Sequence, residues 1–123
     1  MTEQECFDEV CAKMVAQGRR AMSAAGCALR APNGDKCAVG CMIPDDEYDP
    51  ELEGVGVHLI PIGERERKMA NLINKLGLPL SLMSRLQRAH DYSYATFRPF
   101  AEQFIAKANA VADEMGLKQY SLE

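Results

Sequence analysis

Residues 27–54 read CALRAPNGDKCAVGCMIPDDEYDPELEG, and this stretch breaks the helical pattern of the rest of the chain. Asn33 and Gly34 follow a proline, which is a strong turn signal because glycine adopts positive φ at little cost. The flanking letters CALR and KCAV therefore predict a short β-hairpin; the alternative is a turn followed by a helix from about Lys36. The acidic run after the hairpin predicts an irregular loop with single helical turns, in which Pro50 suits a first helical position.

The sequence on both sides of this insert predicts helices. Apolar residues recur at helical spacing over about 2–17, 64–76, 81–91 and 96–115. The side chains predicted to face the core are Phe7, Val10, Cys11, Met14, Val15, Met69, Leu72, Ile73, Leu76, Leu82, Met83, Leu86, His90, Phe97, Phe100, Ala101, Phe104, Ile105, Ala108, Val111, Ala112 and Met115.

Several local signals complete the prediction of the fold. Thr2 and Glu5 match a capping box at the start of the first helix. The apolar segment 55–62 predicts a short strand or a buried turn. The predicted fold is thus mainly α (α+β), with about four helices and with a short β-hairpin and an irregular acidic loop inserted after the first helix. No linker is visible, so residues 1–123 are predicted to form a single domain.

Composition limits the classes of function. The net charge is −4, which argues against a general affinity for nucleic-acid phosphates. Helices 64–76 and 81–91 resemble a helix-turn-helix with Arg85, Gln87 and Arg88 outward, but the charge makes nucleic acid an unfavoured partner.

Location is predicted from apolar runs and cysteines. No apolar run reaches the ~18–20 residues of a membrane span, and the acidic N-terminus does not resemble a signal peptide. The five cysteines are then expected to be thiols or metal ligands in a reducing, cytoplasmic compartment.

The cysteines of the insert offer one candidate metal site. Cys27, Cys37 and Cys41 could supply thiolates to a structural zinc ion, with His58 or Cys6 as the fourth ligand. The nine-residue gap between the first two is not a usual zinc-knuckle spacing. The simpler interpretation is that Cys37 and Cys41 are small packing residues, and no cofactor is predicted.

A cysteine nucleophile is a second candidate. Cys37 would need a base, and His58 and His90 are the two histidines of the chain. His90 is followed by Asp91, although a histidine at the end of a predicted helix is more often a C-terminal cap.

The acids of residues 45–53 lack the order of a calcium-binding loop. They predict a solvated acidic loop, or an acidic face that meets a basic partner.

The insert also resembles a motif in a group of small, mostly uncharacterised proteins of tailed bacteriophages and their bacterial hosts. The matching positions are Cys27, Arg30, Asn33, Gly34, Lys36, Cys37, Ala38, Gly40, Ile43, Pro44, Asp45, Tyr48, Glu53 and Gly54, followed by Leu86, Gln87, His90 and Asp91. Leu29, Ala31 and Cys41 depart from the pattern. The departure at Cys41 weakens the case for a site with three thiolates.

The resemblance implies a setting and no mechanism: a phage or prophage accessory protein in the bacterial cytoplasm that binds a host protein without catalysis, as an inhibitor or anti-defence factor. The small residues around Cys37 and Gly40 predict close approach of backbones. We therefore expect a rigid platform that presents Arg30, Lys36, Asp45 and Tyr48.

Three further residues, Cys37, His90 and Asp91, are added as candidate binding residues. The alternatives are a small enzyme or ligand-binding protein that uses Cys37 with a histidine, and a zinc-stapled interaction module.

Tyrosines near the ends of the last two helices are compatible with a homodimer.

Overall fold

The computed structural model describes residues 1–94 and 97–122, and in this part of the chain it has the predicted mainly α fold with a small hairpin. The helices are α1 (Glu3–Gln17), α2 (Glu64–Lys75), α3 (Leu80–Asp91) and α4 (Phe100–Met115), and the strands are β1 (Met22–Ser23) and β2 (Gly26–Cys27). Single 3-10 turns occupy Gly40–Met42, Asp45–Glu47 and Pro50–Leu52. None of the helices described is long and apolar enough to cross a membrane.

The first helix begins and ends as its sequence predicts. The Thr2 hydroxyl accepts a hydrogen bond of 3.1 Å from the amide of Glu5, and the Glu5 carboxylate accepts one of 2.8 Å from the amide of Thr2. This reciprocal capping box satisfies two amides that have no partner inside the helix. Gly18 closes the helix in the left-handed conformation, with φ of 74°.

The core lies where α4 packs against both α1 and α3. The stacked rings of Phe100 and Phe104, with centroids 5.7 Å apart, are fully buried at its centre. The insert closes one side of the core with Ala38, Val39 and Leu52. Burial of each large apolar side chain contributes about 1.5–3 kcal/mol, so the buried side chains of the insert add to the stability of the fold.

The hairpin is present but lies earlier than predicted. The two strands pair across residues 22–27, and only a single antiparallel bridge, between Arg30 and Lys36, spans the turn at Asn33 and Gly34. Competing hydrogen bonds explain why the ladder stops there. The amide of Leu29 donates to Glu53 at 2.8 Å, and the carbonyl of Cys37 accepts from the amide of Cys41 at 2.9 Å. These two groups would otherwise bond to each other and extend the ladder beyond Arg30 and Lys36.

Segment 55–62 is neither a strand nor buried throughout, so that prediction is wrong. Val55 and Val57 pack against the core, but Leu59, Ile60 and Ile62 are exposed. The carbonyls of Val57 and Ile62 are bonded by the side chains of Ser84 and Arg67, and not by a partner strand.

The last helix starts later than predicted. It begins at Phe100, and the predicted start at residue 96 lies outside the described residues. Phe97 is 97% exposed, so its predicted place in the core is wrong. Pro99 is the reason, because proline disfavours helical conformation in the preceding residue and therefore keeps Arg98 out of the helix.

Candidate functional site

A cavity of about 460 Å³ lies between the insert and α3. Its volume is in the range that small-molecule sites have. It is lined by Cys27, Leu29, Cys37, Gly54, Val55, Gly56, Val57, His58, Ser84, Gln87, Arg88, Asp91 and Tyr92. The cavity therefore brings together three of the four predicted metal ligands, Cys27, Cys37 and His58, and also Asp91.

One face of α3 forms the polar wall of this cavity. Ser84, Arg88 and Tyr92 follow one another at intervals of four residues, and Gln87 and Asp91 fall beside them, so all five lie on one side of the helix. The Ser84 hydroxyl donates a hydrogen bond of 2.9 Å to the carbonyl of Val57, which fixes the opposite wall. This polar periodicity, opposite the apolar stripe, is the signal that could have identified the site from sequence.

Gln87 joins α3 to the insert. Its side-chain oxygen accepts a hydrogen bond of 2.9 Å from the amide of Val39, and its amide nitrogen donates one of 2.9 Å to Oδ1 of Asp91. A residue of the Leu-Gln-x-x-His-Asp motif thus connects two segments that are far apart in sequence. Arg85, beside it on α3, forms a surface ion pair of 2.5 Å with Glu114.

His90 faces the core, as its place in the apolar stripe of α3 predicted, and it connects two segments of the chain. Its side chain is fully buried, and Nε2 accepts a hydrogen bond of 3.0 Å from the amide of Ala21. The other nitrogen, Nδ1, lies 2.9 Å from Oδ1 of Asp91. Because Nε2 is the acceptor, the neutral ring carries its proton on Nδ1 and donates it to Asp91.

The hydrogen bonds of His90 decide whether a metal fits here. Cys27, His90 and Asp91 each offer one ligand atom, and these atoms lie within 4.8 Å of one another. A metal on Nδ1 would displace the proton, yet a metal-bound histidine normally donates a proton from its other nitrogen. Here that nitrogen already accepts from Ala21. The hydrogen bonds that hold the fold are therefore incompatible with a metal on His90.

The predicted four-ligand set does not converge in the part of the chain that is described. Cys41 does not line the cavity, and its thiol donates to the carbonyl of Ala38 at 3.1 Å. Cys27, His90 and Asp91 come together in its place. Cys41 packs against the core, as in the simpler interpretation of this cysteine.

The thiols are poorly suited to act as nucleophiles. Cys37 is buried, and its sulfur accepts a hydrogen bond of 3.2 Å from the amide of Gly40. Burial raises the pKa of the Cys37 thiol to about 12. Burial also raises the pKa of Cys27, with the negative charge of Asp91 as the next cause. A thiolate is the reactive form, so neither environment activates its cysteine near neutral pH.

Arg30, Asp45 and Tyr48 form a contiguous network in the insert. The Arg30 guanidinium lies 4.4 Å from the centre of the Tyr48 ring, contacts Asp45 Oδ1 at 2.8 Å, and donates to the Ile43 carbonyl at 3.0 Å. Burial and a 2.5 Å hydrogen bond to Glu53 raise the pKa of Tyr48 to about 12. These residues shape the chain path, and Asp45 is the most solvent-facing of them.

Glu53 matches the motif of the phage and bacterial proteins, but it was not among the binding residues predicted from the sequence. Its carboxylate accepts hydrogen bonds from the amides of Leu29 at 2.8 Å and Arg30 at 3.1 Å, in addition to the Tyr48 hydroxyl. The two ends of the insert are tied together by this one side chain. Lys36, by contrast, is held through its backbone by Gln17.

The segment after the cavity forms an exposed apolar loop, residues 59–62. Leu59, Ile60 and Ile62 are 56%, 82% and 86% exposed. The loop is anchored at both ends, since the Val57 carbonyl accepts from Ser84 and the Ile62 carbonyl accepts a hydrogen bond of 2.7 Å from Arg67.

Comparisons with known protein families, with curated proteins and with solved structures found no match to this chain.

Proposed function

We propose that the protein works without catalysis by binding a bacterial host protein through the apolar loop 59–62. The observation that carries the proposal is the exposure of Leu59, Ile60 and Ile62 on a loop whose ends are fixed by hydrogen bonds. Single exposed aliphatic residues are ordinary on a surface, but a contiguous group is characteristic of an interaction site.

The loop is suited to act as an anchor. Its fixed ends lower the ordering cost of binding, and each aliphatic side chain that a partner covers contributes about 1.5–3 kcal/mol. The neighbouring insert carries exposed acids, including Asp45 at 87% and Glu51 at 80% side-chain exposure. A partner with an apolar socket and a basic rim would complement this surface.

The biological setting in this proposal rests on the resemblance of the insert to phage and prophage proteins. In that setting the protein is a cytoplasmic accessory factor, and its host target is inhibited or kept from a defence response. The network of Arg30, Tyr48 and Glu53 supports the binding surface by fixing the insert, while Asp45 and Lys36 supply charged contacts at its edge.

A matched pair of substitutions tests the proposal. Ile60→Asp places a charge in the apolar loop, and Leu122→Asp makes the same kind of change at an exposed leucine near the C-terminus, 48% exposed. Tagged wild-type and variant proteins are used to capture partners from bacterial lysate, and the captured proteins are compared by quantitative mass spectrometry. We expect Ile60→Asp to abolish capture of a specific protein that wild type and Leu122→Asp both retain.

The same variants separate a host partner from a second copy of the chain. Sedimentation velocity of the wild-type protein should show a monomer. A wild-type dimer that Ile60→Asp dissociates would mean that the loop binds another copy, and the host-protein proposal would be overturned. Equal capture by all three proteins, or none by wild type, would also contradict it.

A further inference from the structure

The cavity between α3 and the insert contains hydrogen-bond donors that the fold does not use. Gln87 and Asp91 are engaged with each other, and Ser84 donates to Val57. In the described part of the chain, by contrast, no hydrogen bond or ion pair engages the Arg88 guanidinium or the Tyr92 hydroxyl, although both residues line the cavity. Donors left over at a cavity wall favour a ligand that supplies acceptors.

In the described part of the chain, two arginines, Arg88 and Arg98, have a guanidinium with no partner, and of these two Arg88 lines the cavity. Six others contact a carboxylate, a carbonyl or an aromatic ring: Arg19, Arg20, Arg30, Arg65, Arg67 and Arg85. A guanidinium presents donors in a planar fork that matches carboxylate and phosphate groups. The one at Arg88 is therefore available for an anionic group from outside the chain.

The opposite wall supplies a surface for the rest of a ligand. Val55 and Val57 are half-buried and line the cavity with Leu29, and the Ser84 hydrogen bond holds their segment in place. His58 stands at the end of this segment with its ring packed over the backbone of Gly56. A side chain at position 56 would require the exposed His58 ring to move.

We propose that this cavity binds a small organic anion, whose carboxylate or phosphate group pairs with Arg88 and whose apolar body lies against Val55 and Val57. The Tyr92 hydroxyl, at the residue that follows α3, donates a second hydrogen bond to the anionic group. This site is separate from the apolar loop and does not depend on a protein partner. The ligand is held by charge and shape, and no bond is made or broken.

The test uses three small probes that share a benzene ring. Phenyl phosphate and benzoate carry the two candidate anionic groups, and benzamide is the neutral counterpart of benzoate. Each is titrated into isotope-labelled protein, and the shifts of backbone amides in residues 54–58 and 84–92 are followed by NMR. We expect saturable shifts there with an anion, and binding of benzamide weaker by about tenfold or more. A preference for one anion identifies the ligand class as phosphate or carboxylate.

A matched pair of variants shows whether Arg88 is responsible. Arg88→Gln should weaken binding of the preferred anion by about tenfold or more, because it removes a charged hydrogen bond. Arg98→Gln removes the same charge at an exposed position outside the cavity and should leave binding unchanged. The proposal is overturned if neither anion shifts these amides, if benzamide binds as well as benzoate, or if the two variants weaken binding equally.

Discussion

The amide of Ala21 donates a 3.0 Å hydrogen bond to Nε2 of His90 and so ties the chain after α1 to the end of α3. The contact is fully buried, and it fixes the proton of the imidazole on Nδ1, where Asp91 receives it. The sequence made His90 a candidate for catalysis or metal binding, but in the structure both of its ring nitrogens form hydrogen bonds that hold two distant segments together.

We expect His90→Ala to lower the free energy of unfolding by roughly 3–5 kcal/mol. The substitution leaves a buried amide at Ala21 without an acceptor and opens a cavity beside Phe100, whose ring meets the imidazole edge-on. Urea unfolding followed by circular dichroism measures the change.

The control for this prediction is the other histidine. His58 is exposed and has no hydrogen-bond partner in the described structure, so His58→Ala should change stability by no more than about 0.5 kcal/mol. If the two variants lose similar amounts of unfolding free energy, the hydrogen bond between Ala21 and His90 does not stabilise the fold as predicted.

Glu53→Ala should destabilise the insert by about 2–3 kcal/mol, because the amides of Leu29 and Arg30 and the Tyr48 hydroxyl lose their common acceptor. The neighbouring Glu51→Ala is the matched control. Its side chain is 80% exposed, and among the described residues its carboxylate contacts only Lys68, so the expected loss is within about 0.5 kcal/mol. Hydrogen exchange should also speed up at the amides of residues 29 and 30 in the first variant alone; unchanged exchange there would refute the role of Glu53.

Gly40→Ala should cost about 2 kcal/mol or more. An added methyl group would overlap the backbone carbonyl of Leu29, which cannot move without disturbing its hydrogen bond to Cys37. Gly34→Ala meets no neighbouring atom but has a φ of 92°, so its cost should be limited to about 1 kcal/mol of backbone strain. Thermal unfolding should rank the two variants in this order, and the reverse ranking would contradict the close approach at Gly40.

The buried thiols predict a loss of stability at alkaline pH. Burial raises the pKa of Cys11, Cys37 and Cys41 from 9.0 to about 12. Below pH 9 both states hold neutral thiols, and this contribution to stability is complete. As the pH rises from 9 towards 12, the unfolded chain releases protons that the folded chain keeps, so stability falls.

A comparison with Cys37→Ala isolates the thiol contribution. Tyrosines and lysines titrate in the same range of pH, so the wild-type loss of unfolding free energy between pH 8 and pH 10.5 is compared with that of the variant. The variant should lose less over this interval, because one of the shifted thiols is gone. Equal losses of unfolding free energy in the wild type and the variant would show that ionisation of the Cys37 thiol does not cause the fall in stability.

Zinc should not bind to the folded protein through His90. Native mass spectrometry after incubation with one equivalent of zinc should give the mass of the unmodified chain, since the Ala21 hydrogen bond keeps Nδ1 protonated. If one zinc ion binds per chain and both Cys27→Ser and His90→Gln remove it, the assignment of the His90 proton is wrong and the zinc-stapled alternative gains support.

Local signals in the sequence determined the helices and several of their ends. Thr2 and Glu5 form a capping box across three positions, and the apolar stripes repeat every three or four positions. These interactions are local, so a short stretch of sequence is enough to predict them. The same is true of Pro50, which begins a 3-10 turn after Asp49 as predicted. The small residue at Gly40 also predicted a close approach of backbones, although not which carbonyl lies there.

Tertiary structure alone decided which side chains complete the insert and where its strands form. Glu53 takes the amide of Leu29, 24 residues away, and this competition leaves a single bridge where a longer hairpin was predicted. The pairing of His90 with Ala21 and the gathering of Arg88 and Tyr92 at one cavity have the same origin. Such contacts depend on how the helices pack, because hydrogen bonds between distant segments form only after burial has brought them together.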